Sequence, residues 1–313
     1  MIKVGVIGVG SMGINHARIY SELEKEGRVK LVGVSDASEE RANEVAARYK
    51  TLAFADYKRL LSQSPDAVSI AVPTTLHKKV ALNAIGRGIH VLVEKPIADT
   101  TKNAEGIIKA TGKNNIKLQV GHVERFNPAV TKLKKLIDAG ELGKVVSIST
   151  KRVGPYNPRI RDVGIILDLG VHDIDIISHL FGQRVETVFA KAGSSIHTKE
   201  DHAIVVLNFE GDQCGIIETN WLTPHKTRTL NVVGTGGIAY VDYIKQTLEV
   251  YDKEQAKNMT VERKEPLRLE LESFLQCVEN DSGPEVSGED GLYALKVAVA
   301  ASKSAEKQAI VKV

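Results

Sequence analysis

The sequence has few cysteines and no long apolar run. Only Cys214 and Cys277 occur among 313 residues, without the spacing of a disulfide framework or a zinc site, which favours a reducing cytoplasm over secretion. No stretch approaches the ~20 apolar residues that a membrane-spanning helix requires. The chain begins directly with MIKVGVIGVG, which has neither the basic nor the apolar region of a signal peptide. We therefore predict a cytoplasmic protein without membrane contact.

A strong charge of one sign is also absent. The formal net charge is +3, and the one local basic run, Lys132, Lys134 and Lys135, lies on the polar side of a predicted helix. Nucleic-acid-binding domains usually carry a larger, clustered positive charge, so we predict no nucleic-acid partner. The 42% apolar and 26% charged residues are typical of a globular protein, and the length is sufficient for two cores.

The first 121 residues alternate short apolar runs with segments of helical composition. The predicted strands are Lys3–Val9, Val29–Ser35, Ala67–Val72, His90–Glu94 and Lys117–Gly121, with a weak one near Leu52–Ala55. Strands rich in Val and Ile and apolar on both faces are typical of a parallel sheet that helices cover on both sides. We predict a doubly wound α/β domain over residues 1–121.

The pattern changes after His122. A helix is predicted at Pro128–Ala139, and seven strand-like runs joined by turns follow it. Consecutive strands without intervening helices indicate a mainly antiparallel sheet. Helices are predicted at Arg268–Glu279 and Gly288–Glu306. We therefore predict a second α/β domain with an open, mostly antiparallel sheet over residues 122–313.

A glycine-rich turn connects the first strand to the first helix. Gly8, Gly10 and Gly13 have the GxGxxG spacing, which permits a tight turn, close approach of the backbone to a pyrophosphate, and close packing of helix on strand. Asp36 ends the second strand, where an acid binds the ribose of a dinucleotide; its charge favours NAD, although Arg41 leaves NADP possible. The alternative for Asp36 is that it only caps the next helix.

Two further strand ends belong to the same edge of the predicted Rossmann sheet. Pro73 and Thr74 follow the strand at Ala67–Val72, and Glu94 and Lys95 close the next one. Ligands of open α/β sheets bind outside the carboxyl ends of the strands, so both segments are expected to face the nicotinamide. The predicted cofactor-binding residues are Gly8, Gly10, Ser11, Met12, Gly13, Asp36, Pro73, Thr74, His77, Glu94 and Lys95.

Four motifs, GVGSMG, AVPTTLH, VEKP and DLGVHDID, resemble the glucose–fructose oxidoreductase and inositol dehydrogenase (Gfo/Idh/MocA) family in order and spacing. The resemblance covers essentially the whole chain. It implies hydride transfer between a secondary alcohol and NAD(P), without a metal, in a homodimer or homotetramer assembled through the second sheet. It also implies that Lys95 binds the reacting hydroxyl; the alternative is a surface lysine paired with Glu94.

The DLGVHDID segment supplies the predicted acid–base pair, since the resemblance assigns Asp168 and His172 to catalysis. On a regular helix Asp168, His172, Asp175 and His179 form one polar stripe, although Gly170 indicates that Asp168 lies just before the helix. A histidine takes up a proton near neutral pH, and Asp168 is expected to position it. The stripe also has the composition of a metal site, but such spacings arise readily in helices, and we predict no metal.

The segment HVERFNPAV, between the predicted domains, carries the prediction about the substrate. It resembles the nucleotide-sugar dehydrogenases of the family, particularly those acting on C3 of UDP-N-acetylglucosamine. Arg125 and Asn127 are expected to reach the cofactor or the substrate there; the alternative for Arg125 is a salt bridge at the domain junction. Arg161 belongs to a basic segment, Lys151–Arg161, that is either a diphosphate-binding loop or merely an exposed loop.

The predicted reaction is NAD-dependent oxidation of a sugar hydroxyl, with the reacting hydroxyl between Lys95 and His172. Three alternatives remain open: a dehydrogenase of inositol or a simple sugar, an NAD-assisted glycosidase, and a cofactor sensor without catalysis. The predicted substrate-binding residues are Lys95, Arg125, Asn127, Arg161 and His172.

Overall fold

A computed structural model of the chain describes residues 1–156 and 163–313. The chain divides into two compact units. The first contains Met1–His122 and Leu267–Leu292, and the second contains Val123–Pro266 and Tyr293–Val313. The predicted domains, residues 1–121 and 122–313, differ from these two units mainly in the segment Leu267–Leu292. This segment belongs to the first unit although it lies between the two segments of the second unit in the chain.

The first unit is built on a six-stranded parallel sheet. Its strands are β1 (Ile2–Ile7), β2 (Val29–Ser35), β3 (Ala53–Phe54), β4 (Ala67–Ile70), β5 (His90–Glu94) and β6 (Leu118–Gly121). They are arranged in the order β3-β2-β1-β4-β5-β6, and all neighbours are parallel. The strand order reverses between β1 and β4, which is the point where such sheets bind ligands. This confirms the predicted Rossmann architecture.

Helices alternate with these strands as predicted. They are α1 (Gly13–Lys25), α2 (Glu39–Tyr49), α3 (Tyr57–Leu61), α4 (His77–Ile85) and α5 (Thr101–Asn114). Side-chain caps set three of the starts. Ser38 Oγ accepts the Arg41 N–H at 3.3 Å, Asp56 Oδ1 accepts the Lys58 N–H at 2.9 Å, and Thr100 Oγ1 accepts the Asn103 N–H at 3.2 Å. Helix α2 ends at Lys50 in the left-handed conformation, with a φ of 53°.

The second unit contains a nine-stranded sheet. Its strands are β7 (Val145–Pro155), β8 (Thr187–Gly193), β9 (His202–Asn208), β10 (Cys214–Asn220), β11 (Leu222–Gly234), β12 (Ile238–Asp242), β13 (Thr247–Tyr251), β14 (Ala256–Met259) and β15 (Val311–Lys312). Their order is β14-β13-β12-β11-β7-β10-β9-β8-β15. Among the described strands of this second sheet, only β7 and β10 pair in parallel, so the sheet is mostly antiparallel, as predicted.

One face of this second sheet is buried and the other is open in the single chain. Buried residues alternate with exposed ones along β9 and β10, and the buried ones form a continuous core. The helices of this part are α6 (Pro128–Asp138) and α7 (Val171–Phe181), and α8 (Pro266–Glu279) and α9 (Gly288–Lys307) follow the sheet. Within the described ranges, no helix combines the length and the apolar character needed to cross a membrane.

Candidate functional site

The three glycines of the first turn have the geometry that the GxGxxG spacing predicts. Gly8 has a φ of +85°, and a side chain there would lie 2.7 Å from the backbone of Ala71. A Cβ on Gly13 would approach the Gly8 carbonyl oxygen to 1.8 Å. The start of α1 can therefore lie this close to the turn only because residue 13 is a glycine. A Cβ on Gly10 would meet nothing within 4 Å, which leaves its backbone open to a ligand.

The first turn of α1 also suits phosphate. Met12 is the N-cap, and its side chain makes no capping hydrogen bond to the helix. Ser11 is exposed at the tip of the turn. The Ile14 and Asn15 N–H groups donate to the Gly10 and Met12 carbonyl oxygens at 3.0 and 2.9 Å, so it is the positive end of the helix dipole that favours an anion here. The turn and helix end fit the diphosphate of a dinucleotide.

Asp36 is fixed against the glycine turn. Its Oδ2 accepts the Val9 N–H at 3.0 Å, and its Oδ1 accepts the Ser38 N–H at 2.9 Å. The cap of α2 is Ser38, so capping is not the role of Asp36. Arg41 Nη1 lies 3.1 Å from Asp36 Oδ1 on the exposed side. The carboxylate thus stands at the end of β2 beside the turn, where the ribose of a dinucleotide binds.

Pro73 and Thr74 follow β4 and open a short 3₁₀ turn over Thr74–Leu76. His77 comes next, but its ring is only 1% exposed. Both ring nitrogens lie 3.0 Å from carbonyl oxygens, Nδ1 from that of Pro96 and Nε2 from that of Val72. His77 therefore contacts the backbone of two strand-end segments, while Pro73 and Thr74 remain at the surface of the unit.

Glu94 and Lys95 stand at the end of β5. Glu94 is buried; its Oε1 lies 3.0 Å from His16 Nε2, and its Oε2 accepts the Lys95 N–H at 3.2 Å. Burial alone would raise the pKa of the Glu94 carboxyl, but the hydrogen bond and charge of His16, together with the Lys95 charge, outweigh it and lower that pKa. The half-buried Lys95 thus has an anionic neighbour on its backbone side.

Behind Glu94 lies a buried polar cluster that the sequence interpretation missed. Glu270 of α8 is fully buried, and neither of its carboxyl oxygens has a hydrogen-bond partner among the described residues. Gln119 Nε2 donates to the Glu270 carbonyl oxygen at 3.0 Å. Burial, followed by the negative charge of Glu94, raises the pKa of Glu270 well above its ordinary value. The helical spacing of Leu267, Glu270 and Phe274 places an acid on an apolar helix face. This pattern in the sequence could have predicted that Glu270 is buried.

In the second unit, Asp168 and His172 lie on a continuous helical stretch. Residues Ile166–Gly170 form a π-helical turn that runs directly into α7. Such turns are rare and occur frequently at functional sites. Asp168 and His172 are both half-buried and one turn apart. The expected helix is therefore present, and it begins before Gly170.

A charged network lies beside this stretch. Arg152 Nε and Nη2 bind the two oxygens of Asp173 at 2.9 and 3.1 Å, and Arg152 Nη1 donates to Glu124 at 2.9 Å. All of these groups are buried or nearly so, and the ion pairs raise the pKa of Arg152 against the effect of burial. Burial and the Arg152 charge lower the pKa of Arg228 to about 10, while the negative charges of Asp173, Glu124 and Asp168 act in the opposite direction. Asp168 is thus within electrostatic range of a cationic centre.

The predicted substrate residues of the HVERFNPAV segment already have protein partners. Arg125 binds Asp175 through two hydrogen bonds, of 2.8 and 2.5 Å. It therefore forms a salt bridge, as the alternative interpretation of this residue expects. Asn127 is 1% exposed; it accepts the Ala129 N–H at 3.2 Å and donates to the Tyr243 carbonyl at 3.1 Å. Both residues therefore stabilise the start of α6 and its surroundings, and a substrate contact stays a prediction.

The expected basic loop was partly misplaced. Lys151 and Arg152 lie in β7, where Lys151 pairs with Glu218 at 3.0 Å and Arg152 belongs to the buried network. The strand continues to Pro155 because β7 pairs with both β10 and β11. Arg161 lies outside the described residues. Among the described residues, no group of three or more His, Cys, Asp or Glu side chains has the arrangement of a metal site.

Two relatives are similar to this chain over most of its length. It is 30% identical over 287 residues to the UDP-N-acetylglucosamine 3-dehydrogenase of Acidithiobacillus ferrooxidans, which covers 88% of each chain. It is 29% identical over 332 residues to the myo-inositol 2-dehydrogenase of Thermotoga maritima, covering 99% and 98% of the two chains. A solved structure of the Acidithiobacillus ferrooxidans enzyme aligns over 98% of each chain with a TM-score of 0.90 and 29% identity.

Both parts of the chain match families of known domains. Residues 2–122 match the domain described as "Oxidoreductase family, NAD-binding Rossmann fold", in agreement with the geometry of the glycine turn and Asp36. Residues 130–240 match the "GFO/IDH/MocA C-terminal domain". The chain therefore belongs to the Gfo/Idh/MocA family of oxidoreductases, and its N-terminal part is an NAD-binding Rossmann domain.

Proposed function

We propose that this chain is an NAD-dependent dehydrogenase that oxidises C3 of UDP-N-acetylglucosamine to a 3-keto nucleotide sugar. One observation carries the general reaction: the glycine turn after β1, Asp36 after β2 and Lys95 after β5 share the carboxyl edge of one parallel sheet. The family assignment supports oxidation of a CH–OH group. NAD, when bound, supplies the acceptor for the hydride.

The chain supplies the groups that handle the hydroxyl proton. Lys95 donates a hydrogen bond to the reacting oxygen and stabilises the negative charge that develops there. His172 takes the proton, because an imidazole changes its protonation near neutral pH. Asp168 lies one helical turn earlier. It orients His172, and its negative charge stabilises the protonated imidazole.

Two observations support a nucleotide sugar as the substrate. The HVERFNPAV segment resembles nucleotide-sugar dehydrogenases, and a relative with 30% identity is a UDP-N-acetylglucosamine 3-dehydrogenase. A diphosphate would allow binding energy remote from the pyranose to orient the reacting carbon. Because Arg125 is held by Asp175, Arg161 is the main candidate for the diphosphate.

A second candidate substrate is a free polyol. The Thermotoga maritima relative is a myo-inositol 2-dehydrogenase, and its 29% identity extends over 99% of this chain. Inositol has no diphosphate, so an inositol dehydrogenase would not need a cation at Arg161. The two candidates share the roles proposed for Lys95, His172 and Asp168, and they differ only in what holds the substrate.

We also propose a cytoplasmic homodimer or homotetramer. Phe189, Ile204 and Ile216 are 39%, 54% and 40% exposed on the open face of the second sheet, and adjacent exposed apolar side chains of this kind often mark a protein–protein contact. A second copy of the chain would cover this face. Cys214 and Cys277 are both free, which suits a reducing compartment.

Substrate deuterated at C3 of the N-acetylglucosamine unit tests the proposal. Deuterium should appear in the NADH, and the product should be a 3-keto nucleotide sugar. The matched control is the same substrate deuterated at C4, from which no label should be transferred. Cleavage of the substrate without net NADH formation would instead support the NAD-assisted glycosidase, and turnover without label transfer from C3 would contradict the proposed position.

A further inference from the structure

The strand-end segment that carries Lys95 extends beyond the hydrogen bonds of its sheet. Strands β4 and β5 pair from Ala67 with His90 to Ile70 with Val93. Val72 and Lys95 each lie two residues past the last pair. On the other side of β5, the pairing with β6 ends at Glu94 with Gly121, so Lys95 lies one residue beyond that ladder and contacts outside the ladders help to order its backbone.

His77 supplies such a contact. Its ring lies between the Val72 and Pro96 carbonyl oxygens, each 3.0 Å from a ring nitrogen. Val72 directly precedes Pro73 and Thr74, while Pro96 directly follows Lys95. One buried side chain thus connects the segment expected at the nicotinamide with the segment that bears Lys95.

A second contact fixes Lys95 from its other side. The Lys95 N–H donates to Glu94 Oε2 at 3.2 Å, and Glu94 Oε1 lies 3.0 Å from His16 Nε2. His16 is fully buried and Glu94 nearly so. The backbone of Lys95 is therefore held at its amide by Glu94 and one residue later by His77.

The burial and the two backbone contacts of the His77 ring suit a fixed support. Burial lowers the pKa of His77, although the Val72 and Pro96 carbonyls, Glu94 and the Ile97 backbone oppose this. A neutral ring has one N–H and donates to one of the two carbonyls, whereas a protonated ring donates to both, which is why these carbonyls oppose the effect of burial. With an exposed fraction of 1%, the ring has no surface to offer to a bound cofactor.

We propose that His77 is a positioning residue: it holds the Lys95 segment at a fixed distance from the Val72–Thr74 segment, and so aligns Lys95 for proton handling. This role rests on the proposed function of Lys95. It differs from the cofactor contact expected for His77 from sequence, because the imidazole acts through the backbone and does not touch the dinucleotide.

His77→Leu and His77→Gln test the proposal, with His90→Leu as the matched control. His90 begins β5, at the opposite end of the strand, and its Nδ1 accepts the Lys117 N–H at 3.0 Å. Each leucine variant therefore removes one half-buried or buried imidazole and its backbone contact. The glutamine variant keeps a donor for the carbonyls, so that a folded protein is available even if leucine is not tolerated.

We expect His77→Leu to lower kcat by about 10–10²-fold, as sub-ångström to ångström misplacement of a reacting group does. The dissociation constant for NAD should change by less than about twofold, and glutamine should restore part of kcat. His90→Leu should leave kcat and KM near the wild-type values. Equal kcat in His77→Leu and wild type, or a loss that lies in NAD affinity with unchanged kcat, would overturn the proposal.

A measurement that needs no substrate separates this inference from the proposed function. Trace acetylation across pH, followed by mass spectrometry, reports the accessibility and charge state of the Lys95 amine. We expect its labelling profile to change in His77→Leu and to stay unchanged in His90→Leu. If no alcohol is oxidised by the wild-type protein while this difference is found, the proposed reaction fails and the positioning role survives; an unchanged profile in His77→Leu contradicts the role.

Discussion

Glu270 gives the sharpest prediction about stability. Its carboxyl group is fully buried without a hydrogen-bond partner in the described residues, and its pKa lies well above the ordinary value because of burial and the nearby Glu94 charge. The folded protein therefore keeps a proton that the unfolded chain releases. For a raised acid pKa the stabilising contribution is complete below the unfolded pKa and is lost as the pH rises towards the folded one.

The size of the effect follows from this linkage. Each pH unit over which only the folded state keeps the proton costs about 1.4 kcal/mol of stability. As the pH rises above the ordinary glutamate pKa of about 4.3, the wild-type free energy of unfolding should therefore fall by up to about 1.4 kcal/mol per pH unit until the folded pKa is reached. In Glu270→Gln the acid is absent, while the buried amide keeps a pH-independent cost of about 1–3 kcal/mol.

Urea unfolding of wild type and Glu270→Gln across this pH range is the assay. The difference in free energy of unfolding should shift in favour of the glutamine variant by about 1.4 kcal/mol per pH unit. Glu272→Gln is the control on the same helix, where the carboxylate pairs with Arg28 at 2.8 Å and Arg268 at 3.0 Å at the surface. A difference between wild type and Glu270→Gln that stays constant with pH would refute the argument.

Four further outcomes are expected. Lys95→Met should keep the fold and NAD affinity but lower kcat by about 10²–10⁴-fold, and a wild-type rate would remove Lys95 from the chemistry. His172→Ala should lower kcat similarly and flatten the pH–rate profile near neutrality; an unaltered profile assigns the base elsewhere. Asp36→Ser should weaken NAD binding by about 1–3 kcal/mol and relax discrimination against NADP, whereas an unchanged NAD/NADP ratio excludes Asp36. Hydrogen bonds from the Ile196 N–H, from His202 and from the His197 and Ser195 N–H groups lower the pKa of Asp201 to about 2 against the effect of burial. The ionised Asp201 should therefore stabilise the fold above about pH 4. In an acid titration of stability, this contribution should be lost as the pH falls towards 2, and Asp201→Asn should not show the loss.

The parallel sheet was predictable from sequence because its strands are buried on both faces. Val29–Ser35 and His90–Glu94 have the predicted bounds. The roles of the glycine spacing and of Asp36 were predictable for a different reason: residues close together in the chain determine the geometry of this turn. These elements also form the cofactor end of the site.

Elements that depend on distant partners were not predictable. Strands β14 and β15 are short and lie at the edges of the nine-stranded sheet, so only their pairing with β13 and β8 defines them. The extension of β11 back to Leu222 rests on an irregular pairing with Pro155. Likewise, nothing local to Leu267–Leu292 shows that this segment packs with the N-terminal unit.

The polar contacts of the site were the least predictable part. Arg125 and Asn127 were expected at the cofactor or substrate because their segment resembles that of nucleotide-sugar dehydrogenases. In the fold they bind Asp175 and the Tyr243 carbonyl, which lie far away in sequence. The pairing of His16 with Glu94 crosses 78 positions. A single sequence shows the residue types that enter such networks and does not show which of them meet.

The most direct test of the account compares kcat/KM for NAD reduction with UDP-N-acetylglucosamine, free N-acetylglucosamine and myo-inositol. The account predicts that the nucleotide sugar is the best substrate and that the free sugar, which lacks the diphosphate, is much poorer. Replacing Arg161 should harm the nucleotide sugar more than the free sugar. A higher kcat/KM for myo-inositol than for UDP-N-acetylglucosamine would contradict the nucleotide-sugar proposal and leave the general sugar-alcohol dehydrogenase.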